Sequence, residues 1–392
     1  MKKNTILLLL LLFVCSCAGG NGNSSELTFI SEFEGGKLYK AGAVSVLELH
    51  GTHYQMGRQY GMLLKNDLAA LYDLAVATFI DLGFTHNRLK QIADSIYTVY
   101  PQTYKDIIIG MAETSGLGIE KQIVLNAIEW FPKIDAFVPH CSGIAVWGDY
   151  TAGGPLVFGR NNDDAKLYRK FGGYTIVAVF NPTDLGMPVA VINYAGAIYA
   201  PSGMNRNGIF LELNSGNWEG YYIDRPSIFL TLFSFLQTYS TQEELNVAFQ
   251  SVSANLSSIV NVADRNIAYS FECSTSSVKR RYPDADGLMV ATNHFVDPSW
   301  GISPPVPDED NAWTAKRRTN LLNLATANKG FFNVEKMMQV LDTTIPEGGA
   351  TQPTETIYQI IAVPNDLTLC LKAPENFNWQ RVDLRTLFDP AP

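Results

Sequence analysis

The sequence has little cysteine, little charge and no long basic run. Five cysteines in 392 residues do not make a disulfide scaffold. Charged residues are 17% of the chain, hydrophobic residues 46% and aromatics 11%, which excludes a disordered polypeptide. Asp and Glu outnumber Lys and Arg by 38 to 29, for a formal charge of −9. With no cluster of cations, non-specific nucleic-acid binding is excluded as well. Past the N-terminus no apolar run is long enough to span a bilayer. No internal repeat is present, and the length suits one large domain or two ordinary ones. A G-x-S-x-G elbow, a P-loop, an H-E-x-x-H helix and paired C-x-x-C motifs are all missing. His50-x-x-His53 is the only close histidine pair. It lacks the intervening glutamate of a metalloprotease, so no metal site and no cofactor motif is read.

What is present begins with an address. Met1-Lys2-Lys3 is basic and residues 6–14 are unbroken apolar sequence, the pattern of a secretory signal. Val14-Cys15-Ser16-Cys17 resembles a bacterial lipobox, with Cys17 as the lipidated residue. Residues 18–30 then read as a flexible tether. The expected location is the cell envelope, with the membrane reached through the lipid anchor. A plain secretory signal is the alternative.

The mature chain falls into two unlike parts. Residues 31–140 read as a mainly helical segment: Met56, Tyr60, Leu63 and Leu64 recur at helical spacing, as do Leu68, Leu71, Leu74 and Ala75. From 141 to 392 strands dominate. Runs at 143–147, 156–159, 174–180, 189–193 and 209–213 are apolar almost throughout, as in strands buried on both faces. Helical patterns at 226–238, 242–250, 312–326 and 333–341 alternate with further strand runs at 257–262, 267–273, 287–293, 356–363 and 367–372. Sheets packed together and covered by helices fit this order. Cys273 and Cys370 lie in strand-like stretches, and whether they pair is left open. Trp130, Phe131 and Phe137 read as core in preference to an acyl pocket.

The chemistry concentrates at His140-Cys141-Ser142-Gly143 and, nineteen residues on, at Gly159-Arg160-Asn161-Asn162-Asp163. A thiol nucleophile needs a neighbour that stabilises thiolate, and Arg160 is the candidate. It also needs a base, and no His/Asp set is legible around Cys141. Cutting the bond before Cys141 would free its own α-amine, whose pKa near ~8 suits a base. Asp163 would orient that amine.

These residues resemble the N-terminal nucleophile (Ntn) hydrolases with a cysteine nucleophile, in two branches: choloylglycine hydrolases and the autoproteolytic acyltransferases typified by acyl-CoA:6-aminopenicillanic acid acyltransferase. Cys141 matches the nucleophile. Arg160 and Asp163 match the R-N-x-D pair. Asn214, after the Gly203-Met204-Asn205-x-x-Gly208 turn, matches an oxyanion-hole asparagine. Asn293 in Thr292-Asn293-His294-Phe295 matches the second asparagine. Arg317 matches the late arginine, with Arg318 close behind. Gly51-Thr52-x-Tyr54-x-x-Gly57-x-x-x-Gly61 resembles the opening of the acyltransferase branch. The resemblance implies an α+β fold, a four-layer αββα sandwich, preceded by a helical pro-segment. It implies cleavage at His140–Cys141, a small-molecule N-acyl amide as substrate, and no cofactor. Because 123 residues separate Cys17 from Cys141, the acyltransferase arrangement is favoured over that of bile salt hydrolases, whose cysteine opens the translated chain. A surface-tethered protein that binds amides or lipids without turning them over is the competing reading. A papain-like protease does not fit, because the C-G-S-C-W context is absent.

Overall fold

The computed structural model describes residues 26–131, 141–217, 219–222, 224–303, 305 and 313–389. Cys17, His140 and Phe137 lie outside the described residues. Three strands come first: β1 (Thr28–Phe33), β2 (Gly36–Ala41) and β3 (Val44–Gly51). The sequence pattern disclosed neither β1 nor β2; it gave only a strand-to-helix turn at His50-x-x-His53, where β3 passes into α1, and Thr28 to Ile30, assigned to the tether, open β1 instead. Five helices follow: α1 (His53–Leu63), α2 (Lys65–Asp81), α3 (His86–Thr98), α4 (Gln102–Ser115) and α5 (Gly118–Asn126). Thr52 and Gln55 form a capping box that starts α1. The Gly57-x-x-x-Gly61 spacing has a packing cause. A Cβ on Gly57 would stand 2.2 Å from the Ile107 carbonyl oxygen, and one on Gly61 2.5 Å from that of Met111. α1 and α4 therefore meet backbone to backbone.

Beyond residue 140 come β4 (Ser142–Val146), β5 (Val157–Asp163), β6 (Thr175–Pro182), β7 (Val189–Tyr194), β8 (Ser202–Asn205) and β9 (Phe210–Ser215). Helices α6 (Ile228–Thr238) and α7 (Gln242–Phe249) precede β10 (Ser258–Ala263), β11 (Ala268–Cys273), β12 (Val278–Arg281) and β13 (Leu288–Ala291). The chain ends with α8 (Thr314–Ala327), α9 (Val334–Asp342), β14 (Thr356–Val363), β15 (Thr368–Ala373) and β16 (Phe377–Asp383). β8, β12 and β16 were not anticipated. They are short or carry many polar residues, so they have no apolar run to betray them.

The strands form two sheets. One runs β1-β2-β3-β6-β7-β8-β9-β10-β11-β12 and the other β13-β4-β5-β14-β15-β16. β3 pairs with β6 in parallel, which ties the N-terminal strands into the sheet built after residue 140. Alternation along the smaller sheet sorts its residues between two cores. Ala145, Phe158, Ile360 and Leu371 point inward to the larger sheet and share its core, with Phe158 and Phe210 rings 5.1 Å apart. Ile144, Val146, Val157, Val290 and Ile361 point outward and pack under α8 and α9 with Leu321, Met337 and Leu341. On the far side of the larger sheet α1 and α6 pack on β2, β3, β7, β8 and β9. The order helix, sheet, sheet, helix is the four-layer αββα sandwich that the resemblance implies. Cys273 and Cys370 are both free; the first lies in the central core and the second in the outer one, so they do not pair. Among the described residues no single helix is long and apolar enough to cross a membrane.

Candidate active site

Cys141 stands just before β4, at the end of the smaller sheet, and is 4% exposed. Ser142 pairs with Asn161 across the β4–β5 ladder, so Cys141 falls opposite Asn162. The G-R-N-N-D motif occupies β5 itself instead of a turn after it. Its residues alternate. Arg160 and Asn162 project inward; Asp163 projects outward. Both faces reach Cys141 because the cysteine ends the neighbouring strand.

From the inner side, Arg160 Nη2 lies 3.7 Å from Cys141 Sγ and donates to Asn162 Oδ1 at 2.7 Å and to the Leu213 carbonyl at 2.9 Å. Its Nη1 donates to the Pro201 carbonyl and to Ser202 Oγ. Its Nε faces Glu212 Oε2 at 3.5 Å. The Cys141 thiol lies 3.9 Å from Asn162 Oδ1 and 3.6 Å from the Asp163 carbonyl. From the outer side, Arg317 on α8 donates from Nη1 to the Cys141 carbonyl at 2.8 Å and from Nη2 to Asn293 Oδ1 at 2.7 Å. The same guanidinium is 3.7 Å from Asp163 Oδ2. Asp163 Oδ1 accepts from Thr356 Oγ1 at 2.6 Å, and Gln352 Nε2 donates to Oδ2 at 3.4 Å. Asn293 Nδ2 donates to the Ser215 carbonyl at 2.9 Å.

Cys141, Arg160, Asp163, Asn293 and Arg317 thus come together in one connected set, although 176 positions separate Cys141 from Arg317. Arg317, not Arg318, is the site arginine. Arg317 is 0% exposed, whereas Arg318 turns away to Asp284. Asn214 reaches the set through its backbone neighbours: Leu213 and Ser215 give their carbonyls to Arg160 and Asn293. No hydrogen bond joins Asn214 to Cys141 among the described residues. Its side chain is fully buried and lies within reach of the Glu212 carboxylate, whose charge it helps to hold. A buried carboxamide donor beside the cysteine is the kind of group an oxyanion can engage. His294 Nδ1 is 2.9 Å from Thr314 Oγ1, a packing role. His50 and His53 engage different carboxylates, His50 those of Glu48 and Asp389 and His53 that of Asp184.

Burial dominates the electrostatics. It pushes the Cys141 thiol up to about 11, and the Arg160 charge opposes the rise. It pushes Asp163 up to about 6 against the pull of Arg317 and Thr356. Glu212 rises to about 7, again through burial, with Arg160, Asn261 and Asn214 opposing. The thiol is therefore held mostly protonated at neutral pH. Close packing of the two sheets helps to seal the site: a Cβ on Gly143 would stand 2.3 Å from Glu212 Oε1, so β4 can approach β9 only as glycine there. A small cavity beside Cys141 is lined by Arg160, Asn162, Leu213 and Ser215, and further along by Glu129, Asp164 and Phe229.

Sequence reasoning missed Asn162, Glu212, Gln352 and Thr356. Glu212 had a signal, a lone acid inside an apolar strand run. Asn162 sat unremarked within the motif. Gln352 and Thr356 had none, because only the β5–β14 pairing, with Thr356 opposite Asp163, brings them in.

No family model matches the chain. Among curated proteins it is similar to Protein dcd1B of Dictyostelium discoideum, 23% identical over a 317-residue alignment that covers 73% of this chain and 60% of that protein. The chain therefore spans about 60% of the length of that relative. Similar solved structures include the Caenorhabditis elegans ortholog of N-acylethanolamine-hydrolyzing acid amidase, with TM-score 0.46 and 19% identity over 62% of this chain and 100% of that one. A mutant of conjugated bile acid hydrolase from Clostridium perfringens gives TM-score 0.44 and 14% identity over 63% of this chain and 93% of that one. Penicillin V acylase from Agrobacterium tumefaciens gives TM-score 0.43 and 13% identity over 62% and 86%. What this chain itself supplies is an α+β four-layer sandwich in which two buried arginines close on a cysteine at the mouth of one sheet.

Proposed function

We propose that the chain is an Ntn-type amidohydrolase or acyltransferase that cleaves linear amide C–N bonds through a thioester on Cys141, after self-cleavage at His140–Cys141. One observation carries the reading: two fully buried arginines meet at this residue, Arg160 beside its sulfur and Arg317 on its carbonyl. A structural cysteine needs neither.

In the first step Sγ attacks the His140 carbonyl carbon. The bond to the Cys141 nitrogen breaks, that nitrogen takes up the thiol proton, and a thioester forms. Water then hydrolyses the thioester, leaving a carboxylate on His140 and an α-amine on Cys141. The amine supplies the base that the buried site lacks. In turnover it takes the thiol proton as Sγ attacks an amide carbonyl, and passes the proton to the departing amine. The Asn214 carboxamide, beside Glu212 in the resting protein, donates to the oxyanion. Arg160 offsets the thiolate charge, and Arg317 holds Cys141 and Asn293 in register. Water or an acceptor amine then takes the acyl group. The chain is anchored in a bacterial envelope through Cys17 on the same reading.

Intact-mass analysis and N-terminal sequencing test it, alongside amine release from a panel of N-acyl amides. The expected result is two fragments, one beginning at Cys141, and activity in wild type. Cys141→Ala stays in one piece and releases no amine. Wild type that remains uncut yet fully active rules out the α-amine step. Wild type that is uncut, inactive and still binds amides favours the surface-tethered binder. Cys17→Ala is expected to leave the detergent phase in which wild type partitions; partition of both alike removes the anchor.

A further inference from the structure

The position between Asn161 and Asp163 is the one that the R-N-x-D pattern leaves open, and in this chain it is Asn162. Its backbone is fixed in β5, paired with Tyr358 of β14. Its side chain is on the inner side, and the residue is only 7% exposed. Chemistry settles which way the carboxamide faces. A guanidinium has donors and no acceptor, so the atom 2.7 Å from Arg160 Nη2 is the amide oxygen. The amide nitrogen is turned the other way. It makes no hydrogen bond among the described residues, and it is not sealed off like the orphaned polar atoms of the core. Asn162 lines the cavity beside Cys141, so this N–H opens onto that cavity.

The same carboxamide stands against the nucleophile, with Oδ1 3.9 Å from Cys141 Sγ. Attack brings a carbonyl carbon to about 3–3.5 Å from the sulfur. The carbonyl oxygen of an amide so placed enters the space that Nδ2 borders. A donor without a partner in a buried site calls for a ligand to satisfy it, and fixed amide donors of this kind stabilise the charge that develops on the oxygen. Arg160 fixes this one through a charge-assisted bond to Oδ1. Arg160 does not itself depend on Asn162, because Glu212, Ser202 and the Pro201 and Leu213 carbonyls hold it as well. Loss of the Asn162 amide should therefore leave the guanidinium in place.

We propose that Asn162 is a further catalytic residue, which donates from Nδ2 to the carbonyl oxygen of the scissile amide as Sγ attacks and negative charge moves onto that oxygen. This rests on the acyl-transfer reading above. It gives the oxyanion a donor from the smaller sheet, to complement Asn214 on the larger one.

Asn162→Leu removes the donor, and Asn162→Asp removes it while keeping an acceptor for Arg160. Intact mass counts the cut chains, and thermal melts report folding. Per cut chain, kcat for hexanoyl p-nitroanilide should fall by about 10²–10³ in both variants, with KM within about threefold of wild type. Hexanal, whose adduct on Sγ presents the same oxygen to the site, should bind both variants more weakly by a similar factor. The pH profile of Cys141 alkylation by iodoacetamide should not move in Asn162→Leu, because Arg160 stays beside the sulfur. Wild-type kcat in either variant, or a loss in Asn162→Leu matched by a shift of that profile, overturns the inference and leaves the enzyme reading standing. If wild type turns nothing over, the enzyme reading fails and hexanal binding decides the inference alone; the same measurement serves for a variant left uncut. Weaker binding to both variants keeps the inference, and equal binding, or none to wild type, overturns it.

Discussion

The two faces of the smaller sheet are built from the same strands and do opposite things. The outward face meets α8 and α9 through Ile144, Val146, Val157, Val290 and Ile361, an apolar interface of ordinary kind. The inward face, a few ångströms away, carries Arg160 and Asn162 against Glu212 and Asn261 of the larger sheet. Each face holds a cysteine. Cys370 on the outward side is pushed up to about 12 by burial, with Arg381 opposing. Cys141, also buried, is held at about 11, with Arg160 as its main opposing charge. Hydrophobic packing fills the outward face except at its Cys141 end, where Asp163 and Arg317 lie buried together. The inward face accepts desolvated charges at its centre, and such concessions concentrate where a site needs groups poised for chemistry.

The largest expected contrast is between the two thiols. Cys141→Ala should lower amide turnover by ~10⁴-fold or more, while Cys370→Ala keeps turnover and loses only packing. Steady-state amine release from both variants checks this; equal losses would erase the distinction between the faces. Next come two adjacent arginines of α8. Arg317→Met strips donors from the Cys141 carbonyl and Asn293 Oδ1 and should cost about 3–5 kcal/mol of stability. Arg318→Met loses a partly exposed pair with Asp284 and should cost about 1 kcal/mol or less. Urea unfolding measures both. Asn214→Ala follows. It should lower kcat by about 10²–10³ and change the melting temperature less than Arg317→Met does, because its carboxamide is engaged only with Glu212 among the described residues. A large loss of stability with kcat intact would assign Asn214 to structure alone.

Much of this contrast was legible in the sequence because it is carried by local patterns. Apolar runs disclosed the buried strands β5, β6, β7 and β9, and the G-R-N-N-D spacing placed Arg160 and Asp163 near Cys141. What stayed hidden depends on pairing between distant strands. Thr356 reaches Asp163 only through the β5–β14 register, and Glu212 reaches Arg160 only because two sheets stack. β1 and β2 were invisible for a different reason. β1 lies at the sheet edge, where Phe29 and Ile30 are 54% and 48% exposed. β2 alternates buried and half-buried residues along its length, so neither strand needs the continuous apolar run by which the inner ones are recognised. The choice between Arg317 and Arg318 was likewise a matter of helix phase, decided by which side of α8 faces β4.

The last expected effect concerns protons, and its main group, Glu212, faces the inward side. Glu212 in the folded protein titrates at about 7 against an ordinary value of 4.5. Its folded pKa is raised, so between these values the native state retains a proton that the unfolded chain has released. Stability from this group is fully present below about pH 4.5 and is lost as pH rises through 7. The shift corresponds to ~3 kcal/mol over that window. Asp163, pushed up to about 6, adds a change of the same sign from pH 3.8 upward. Glu212→Gln replaces the carboxyl by a neutral amide of the same shape. The thermal midpoint of wild type should fall relative to that of Glu212→Gln as pH is raised from 4.5 to 7.5, and the two curves should run parallel below 4.5. Parallel curves across the whole range would mean that Glu212 keeps its charge beside Arg160 throughout, and that the inward face holds a fully ionised pair instead of one poised to take up a proton.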